Sequence, residues 1–109
     1  MEPLHGLLDM IVLRTLVLGP LHGYGIAKAI RTSSNEALDI EFGSLYPALK
    51  RLELKGWISS KWDTSEFNKR AKYYKLTATG KKQLRQEHSE WIDFVSAISS
   101  VMGGPEGQQ

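Results

Sequence analysis

A mainly α-helical chain with one small β-hairpin is what these 109 residues predict. Three observations carry the prediction. Most of the chain repeats its apolar residues at three- and four-residue spacing, as amphipathic helices do. One stretch, residues 57–76, is instead rich in aromatic and β-branched residues, with turn-type residues at its centre. Charge is segregated onto that same region. Residues 50–75 hold eight Lys and Arg against three acids, a net +5, whereas residues 1–49 carry −2 and residues 76–109 carry −1. Scaffold helices, a short helix, a basic hairpin and a last helix follow in that order. The short helix followed by a basic hairpin is the order of a winged helix-turn-helix, and the last helix is expected, from its apolar seam described below, to be a C-terminal dimerisation helix.

The first element is a helix through Leu7, Leu8, Ile11, Val12, Leu16 and Val17. It is apolar over much of its circumference and so is expected to be buried. Gly19-Pro20 ends it. Leu21-His22 is expected as a short edge strand. A second helix begins near Gly23 and buries Ile26, Ala29 and Ile30. Its free N-terminal amides could donate to a phosphate with Tyr24 alongside; equally, Tyr24 could simply pack. Ser33 to Glu36 is the expected turn into the third helix.

That third helix is expected to run from Ser44 to Lys55. Ser44 is the expected N-cap, which places Pro47 at the third helical position, where no intrahelical bond is lost. Leu45, Ala48, Leu49 and Leu52 form one buried stripe. The opposite face carries Pro47, Lys50 and Leu54, flanked by Tyr46 and Arg51. Two cations and a phenol with little acid suit a DNA major groove, where Arg and Lys donate to guanine edges or phosphates. An ordinary solvated helix face would look similar taken alone. Gly56 is a natural stop.

The hairpin strands are expected at Trp57–Trp62 and Ala71–Leu76, joined by a longer mobile loop from Asp63 to Arg70. Period two turns Tyr74 and Leu76 inward, with Lys72 bending outward near the tip. Lys69, Arg70 and Lys72 make the wing basic. The last helix starts at Thr77 as N-cap. Leu84, His88, Trp91, Val95, Ile98 and Met102 recur at alternating four- and three-residue steps, a seam of the coiled-coil kind. Ile92 and Phe94 widen it. A chain this small has little core to cover both this seam and the first helix, so a homodimer is expected through Leu8, Ile11, Leu84, Trp91, Val95 and Ile98. The alternative is a stripe that packs on the chain's own first helix.

Several classes are excluded or disfavoured. The length suits one small folded unit: a DNA-binding domain over residues 1–77, the dimerisation helix over 78–102 and a disordered tail over 103–109. There is no cysteine, which fits a reducing cytoplasm. The apolar run from Leu7 to Leu18 is broken by Asp9 and Arg14, too short to span a bilayer, and not preceded by a basic leader. The three histidines lack metal-ligand spacing, there is no phosphate-binding glycine loop, and the carboxylates form no catalytic grouping. Neither an enzyme, a metal nor a cofactor is expected. Two readings remain: a sequence-specific DNA-binding protein, and a winged helix that docks another protein. The basic, largely acid-free outer helix face favours the first.

Three segments add a resemblance. HGYGIAKAI (22–30), GSLYPALKRLELKGWI (43–58) and RAKYYKLTATGKKQL (70–84) resemble the PadR family of bacterial transcriptional regulators, over about residues 4–84. The resemblance implies a homodimeric winged-helix repressor of the short-tailed subgroup, acting on a two-fold operator. The helix at 44–55 would enter the major groove, the hairpin would touch the backbone or minor groove, and the last helix would dimerise. The DNA-binding residues so implied are Tyr24, Ser44, Tyr46, Pro47, Lys50, Arg51, Lys69, Arg70 and Lys72. In some relatives an aromatic residue on the last helix stacks a planar hydrophobic effector at the dimer interface. Trp91, with Phe94 nearby, could be similar; filling space at an interface is the plainer role.

Overall fold

The computed structural model describes residues 3–103, with side chains from Gly6 onward. Four helices surround a small three-stranded antiparallel sheet: α1 (Pro3–Thr15), β1 (Leu21–His22), α2 (Gly23–Ser33), α3 (Phe42–Leu54), β2 (Ile58–Thr64), β3 (Arg70–Leu76) and α4 (Ala78–Met102). The fold class is the one expected, with β1 as the third strand. The sheet order is β1-β3-β2. Leu21 sits opposite Tyr74, and Trp62 opposite Lys72.

One core unites α1, α2, α3 and the inner face of the sheet. Val12, Leu13, Leu16, Ile26, Ile30, Leu45, Leu49, Leu52, Ile58, Tyr74 and Leu76 all lie inside it. The period-two assignment of Tyr74 and Leu76 holds, because adjacent strand residues face opposite ways. Two burial expectations, Val17 and Ala29, need correction. Leu13 is buried and Val17 is exposed, because α1 ends at Thr15 and a turn carries Val17 and Leu18 out to solvent. On α2, Ala27 is buried and Ala29 only half-buried, so the helix presents a face one residue round from the expected one.

The connections differ too. The passage from α2 to α3 is longer than Ser33–Glu36: Asn35 and Glu36 both take positive φ to reverse the chain, and residues 37–41 then lead on to α3. The hairpin tip is shorter than expected. Both strands extend further, so residues 65–69 alone form the turn. Asn68 takes φ 58°, and the Ser65 amide donates to the Lys69 carbonyl at 2.6 Å. Asn tolerates this left-handed backbone better than most residues.

The junction of α3, β2 and α4 explains why Thr77 and Gly80 stand where they do in the run Leu76-Thr77-Ala78-Thr79-Gly80. Thr77 caps α4, its Oγ1 accepting from the Gly80 amide at 2.9 Å and donating to the Gly56 carbonyl at 2.7 Å. Its own amide donates to the Trp57 carbonyl at 3.1 Å. Any Cβ at position 80 would collide with that same carbonyl, so glycine is required there for close approach.

α4 has 25 residues and is about 37 Å long at 1.5 Å per residue. It gives the molecule its elongated shape, 55 × 28 × 24 Å. Its first half lies on α1. Leu84 packs against the chain's own core beside Leu8 and Ile11, which are partly buried there. From Val95 to Met102 every residue is exposed. The expected seam is therefore divided. Its N-terminal part meets the chain's own first helix, His88 points to solvent, and Val95, Ile98 and Met102 stand uncovered. Of the tail expected at 103–109, Gly103 is the C-cap of α4 with φ 84°, and the rest lies outside the described residues.

Candidate nucleic-acid interface

α3 lies with its stripe of Leu45, Ala48, Leu49 and Leu52 in the core and its opposite face outward. The helix begins earlier than local capping propensity suggests. Glu41 is the N-cap and makes no side-chain cap bond; the first α-helical bond runs from the Leu45 amide to the Glu41 carbonyl at 2.9 Å. Ser44 is thus the third helical residue, and Pro47 the sixth. Proline has no N–H, so the Gly43 carbonyl receives no amide one turn on. Gly43 is exposed, and water can serve that carbonyl. Tertiary packing decides the earlier start. Phe42 sits between two tyrosines, stacked 6.5 Å from the Tyr24 ring and tilted 5.8 Å from the Tyr46 ring, and these ring contacts outweigh the weak preference for Ser at a cap.

The outward face therefore carries Phe42, Ser44, Tyr46, Pro47, Lys50, Arg51 and Leu54. Its two cations are not equivalent. Arg51 turns back to α1, donating from Nη2 to Asp9 Oδ1 at 2.9 Å, and Asp9 is buried. The guanidinium that the sequence suggests for base contact is thus committed to holding α3 on α1. Lys50 is exposed and makes no ion pair among the described residues.

α2 contributes its N-terminus. His22 caps it, Nδ1 accepting from the Gly25 amide at 2.9 Å, so one of the free amides is already satisfied by the protein. Tyr24 is largely exposed and stacks on Phe42. Tyr46 lies over Gly23, where any Cβ would strike its hydroxyl. Tyr24 thus both packs and faces solvent, and the two alternatives read from the sequence are compatible.

The hairpin stands beside this face. A cleft of about 560 Å³ separates them, lined by Tyr24, Tyr46, Trp62, Phe67, Arg70 and Lys72 among others. Two cations border it differently. The Arg70 guanidinium lies 5.3 Å from the Trp62 ring centre. Lys72 Nζ lies 3.4 Å from Glu53 Oε1, and the other Glu53 oxygen accepts from the Ser60 hydroxyl. Glu53 therefore ties α3 to both strands of the wing and partly neutralises Lys72. Burial, with Glu53 and Tyr46 nearby, pushes the Tyr74 phenol above its ordinary value. Lys61, Lys69, Arg70 and Lys75 remain exposed on the hairpin.

Sequence reasoning missed Phe42, Glu53 and Trp62 as parts of this surface and the buried Asp9 as its support. Phe42 was hidden by Ser44, the better cap by propensity. Asp9 carried a signal, an acid inside an apolar helix, but nothing in the sequence named its partner. Among the described residues no group of His, Cys, Asp or Glu could hold a metal ion, and no helix is long and apolar enough to cross a membrane.

The profile of the transcriptional regulator PadR-like family matches residues 12–86. The chain belongs to this family. A transcriptional regulator from Clostridium thermocellum has the same fold, with a TM-score of 0.81 and 35% identity over 92% of this chain and 97% of that one. A PadR family transcription regulator from Clostridium difficile R20291 matches with a TM-score of 0.73 and 32% identity, over 91% of this chain and 100% of that one. An uncharacterised protein of Lysinibacillus sphaericus is 35% identical over 94% of both chains. This PadR-like protein is accordingly a transcription regulator and not an enzyme, built on a winged-helix DNA-binding fold.

Proposed function

We propose that this PadR-like chain is a repressor that works in the cytoplasm as a homodimer on a two-fold operator. The observation that carries the reading is the pairing of an outward α3 face with an adjacent hairpin on which Lys61, Lys69, Arg70 and Lys75 are exposed. Residues 1–77 would form the DNA-binding unit and residues 78–102 the dimerisation helix. α3 would enter the major groove, with Lys50 reading a base and Ser44, Tyr46 and Pro47 against the groove wall. Tyr24 and the wing residues Lys69, Arg70 and Lys72 would hold the backbone. Arg51 would position α3 through Asp9 rather than read sequence. Two reading helices related by a dyad would bind half-sites about 34–36 Å apart, roughly every 10 base pairs.

Release would follow from a change in dimer geometry. The Trp91 and Phe94 rings are half-buried with centres 6.1 Å apart, near the point where α4 leaves the chain's own core. A planar hydrophobic effector wedged there would act only through its differential affinity for two dimer geometries.

The test is a gel shift with the gene's upstream DNA across a salt series. Arg70→Ala is expected to weaken all sequences alike and to lower the salt slope by about one for each phosphate it no longer neutralises. Lys50→Ala is expected to flatten preference at one base pair, costing roughly 1–3 kcal/mol. Absence of salt-dependent binding would favour a winged helix that docks protein instead.

A further inference from the structure

The outward face of α3 is mostly carbon at its N-terminal end. Phe42 and Tyr46 are each nearly half exposed, at 45% and 48%, and Pro47 is exposed beside them. Gly43 lies between, with nothing within 4 Å of where a Cβ would stand, so the backbone there can approach a base edge closely. The rings are held in place. Phe42 stacks on Tyr24 and meets Tyr46 at a tilt, and Tyr46 rests on Gly23. Neighbouring rings on both sides restrict Phe42 and so lower the entropy it loses on binding.

In a helix-turn-helix the N-terminal residues of the second helix meet the base edges. Apolar groups there find their largest complementary feature in the 5-methyl group of thymine, since the other major-groove groups donate or accept hydrogen bonds, apart from the smaller C5–H of cytosine. A cation sits one turn further on at Lys50, and the basic hairpin flanks the patch. An apolar patch bordered by cations matches a methyl group set among phosphates better than it matches a neutral protein surface.

We infer that Phe42, supported by Tyr46, reads a pyrimidine 5-methyl group in each half-site. The inference rests on the DNA-binding reading above and adds a specificity determinant to it. Thymine and 5-methylcytosine share the chemistry, so either could be the source of the methyl.

The experiment begins from the bound sequence selected with the full-length protein. Each thymine in a half-site is replaced by deoxyuridine, which removes only the methyl. At the sensitive position, cytosine and 5-methylcytosine are then compared as well. Wild-type protein is expected to lose about three- to fivefold in affinity per half-site on removal of one buried methyl, and to bind 5-methylcytosine more tightly than cytosine by a similar factor. Phe42→Ala is expected to abolish both differences while its salt slope stays that of wild type. Phe42→Leu, which keeps an apolar side chain at the position, should retain part of the discrimination and guards against a helix end disturbed by the alanine. Sequence-selective binding with no deoxyuridine effect at any position would overturn the inference and leave the DNA-binding reading standing. An equal effect in wild type and Phe42→Ala would remove Phe42 from the assignment. Failure to select any sequence would defeat the DNA-binding reading itself.

Discussion

α3 and α4 are both amphipathic helices, yet the chain treats them differently. The apolar stripe of α3 is covered completely by α1, α2 and the sheet, with Leu45, Leu49 and Leu52 almost wholly inaccessible. Its outer face is left free for another kind of molecule. α4 is covered only as far as Phe94, and its remaining apolar strip, with Val95, Ile98 and Met102, runs beyond the core. A helix whose inner face is satisfied can devote its outer face to recognition. A helix whose strip outruns the core has apolar surface that more protein would cover.

The largest effect is expected where the two helices are joined. Gly80→Ala drives a Cβ into the Trp57 carbonyl, which is backbone and cannot swing aside. It should destabilise the fold by at least about 2–3 kcal/mol, read as a clear fall in Tm. An unchanged Tm would mean that the junction is plastic and that α4 is not rigidly referenced to α3.

The Asp9–Arg51 pair tests how α3 is held. Arg51→Ala strands a buried carboxylate, whereas Asp9→Ala leaves an arginine that can turn to water, since its side chain is already about half exposed at 49%. Arg51→Ala should therefore cost more, roughly 1–3 kcal/mol, and Asp9→Ala less. Urea denaturation of the two variants decides it, and the reverse order would show that Asp9 does not depend on Arg51.

Val95→Glu addresses the exposed strip. At concentrations where both proteins are monomeric, its effect on stability should be within about 0.5 kcal/mol, while analytical ultracentrifugation at higher concentration shows the dimer abolished. A wild-type monomer at micromolar concentration would break the contrast between the two helices altogether.

The smallest effect concerns Glu87, on the α1-facing side of α4. One of its oxygens is buried with no hydrogen-bond partner among the described residues. Burial first, and then the neighbouring Asp9 carboxylate, raises its carboxyl above the ordinary value. The folded chain thus holds this proton more tightly than the unfolded chain. Stability contributed at this site falls as pH rises from the ordinary carboxylate range through the raised value, and the penalty is complete above it. Glu87→Gln escapes that penalty. It should melt higher than wild type at neutral pH, with the difference closing as the medium is acidified below the ordinary carboxylate range. A difference independent of pH would assign the gain to packing instead.

Element order, the buried stripe of α3, the inward Tyr74 and Leu76 and the basic hairpin can all be read along the chain. Each follows from periodicity or charge within a short segment, and such local patterns survive folding wherever tertiary packing agrees with them. Which neighbours meet is settled only in three dimensions. Propensity favoured Ser44 as the helix start, but ring contacts with Tyr24 and Tyr46 accompany a start at Phe42. Arg51 and Lys50 are adjacent cations in the sequence, yet only Arg51 lies within reach of a buried acid 42 residues away. The seam on α4 has one periodicity throughout, but α1 is too short to cover it all. Partnership between distant residues depends on where the backbone brings them, and no spacing along the chain encodes that distance.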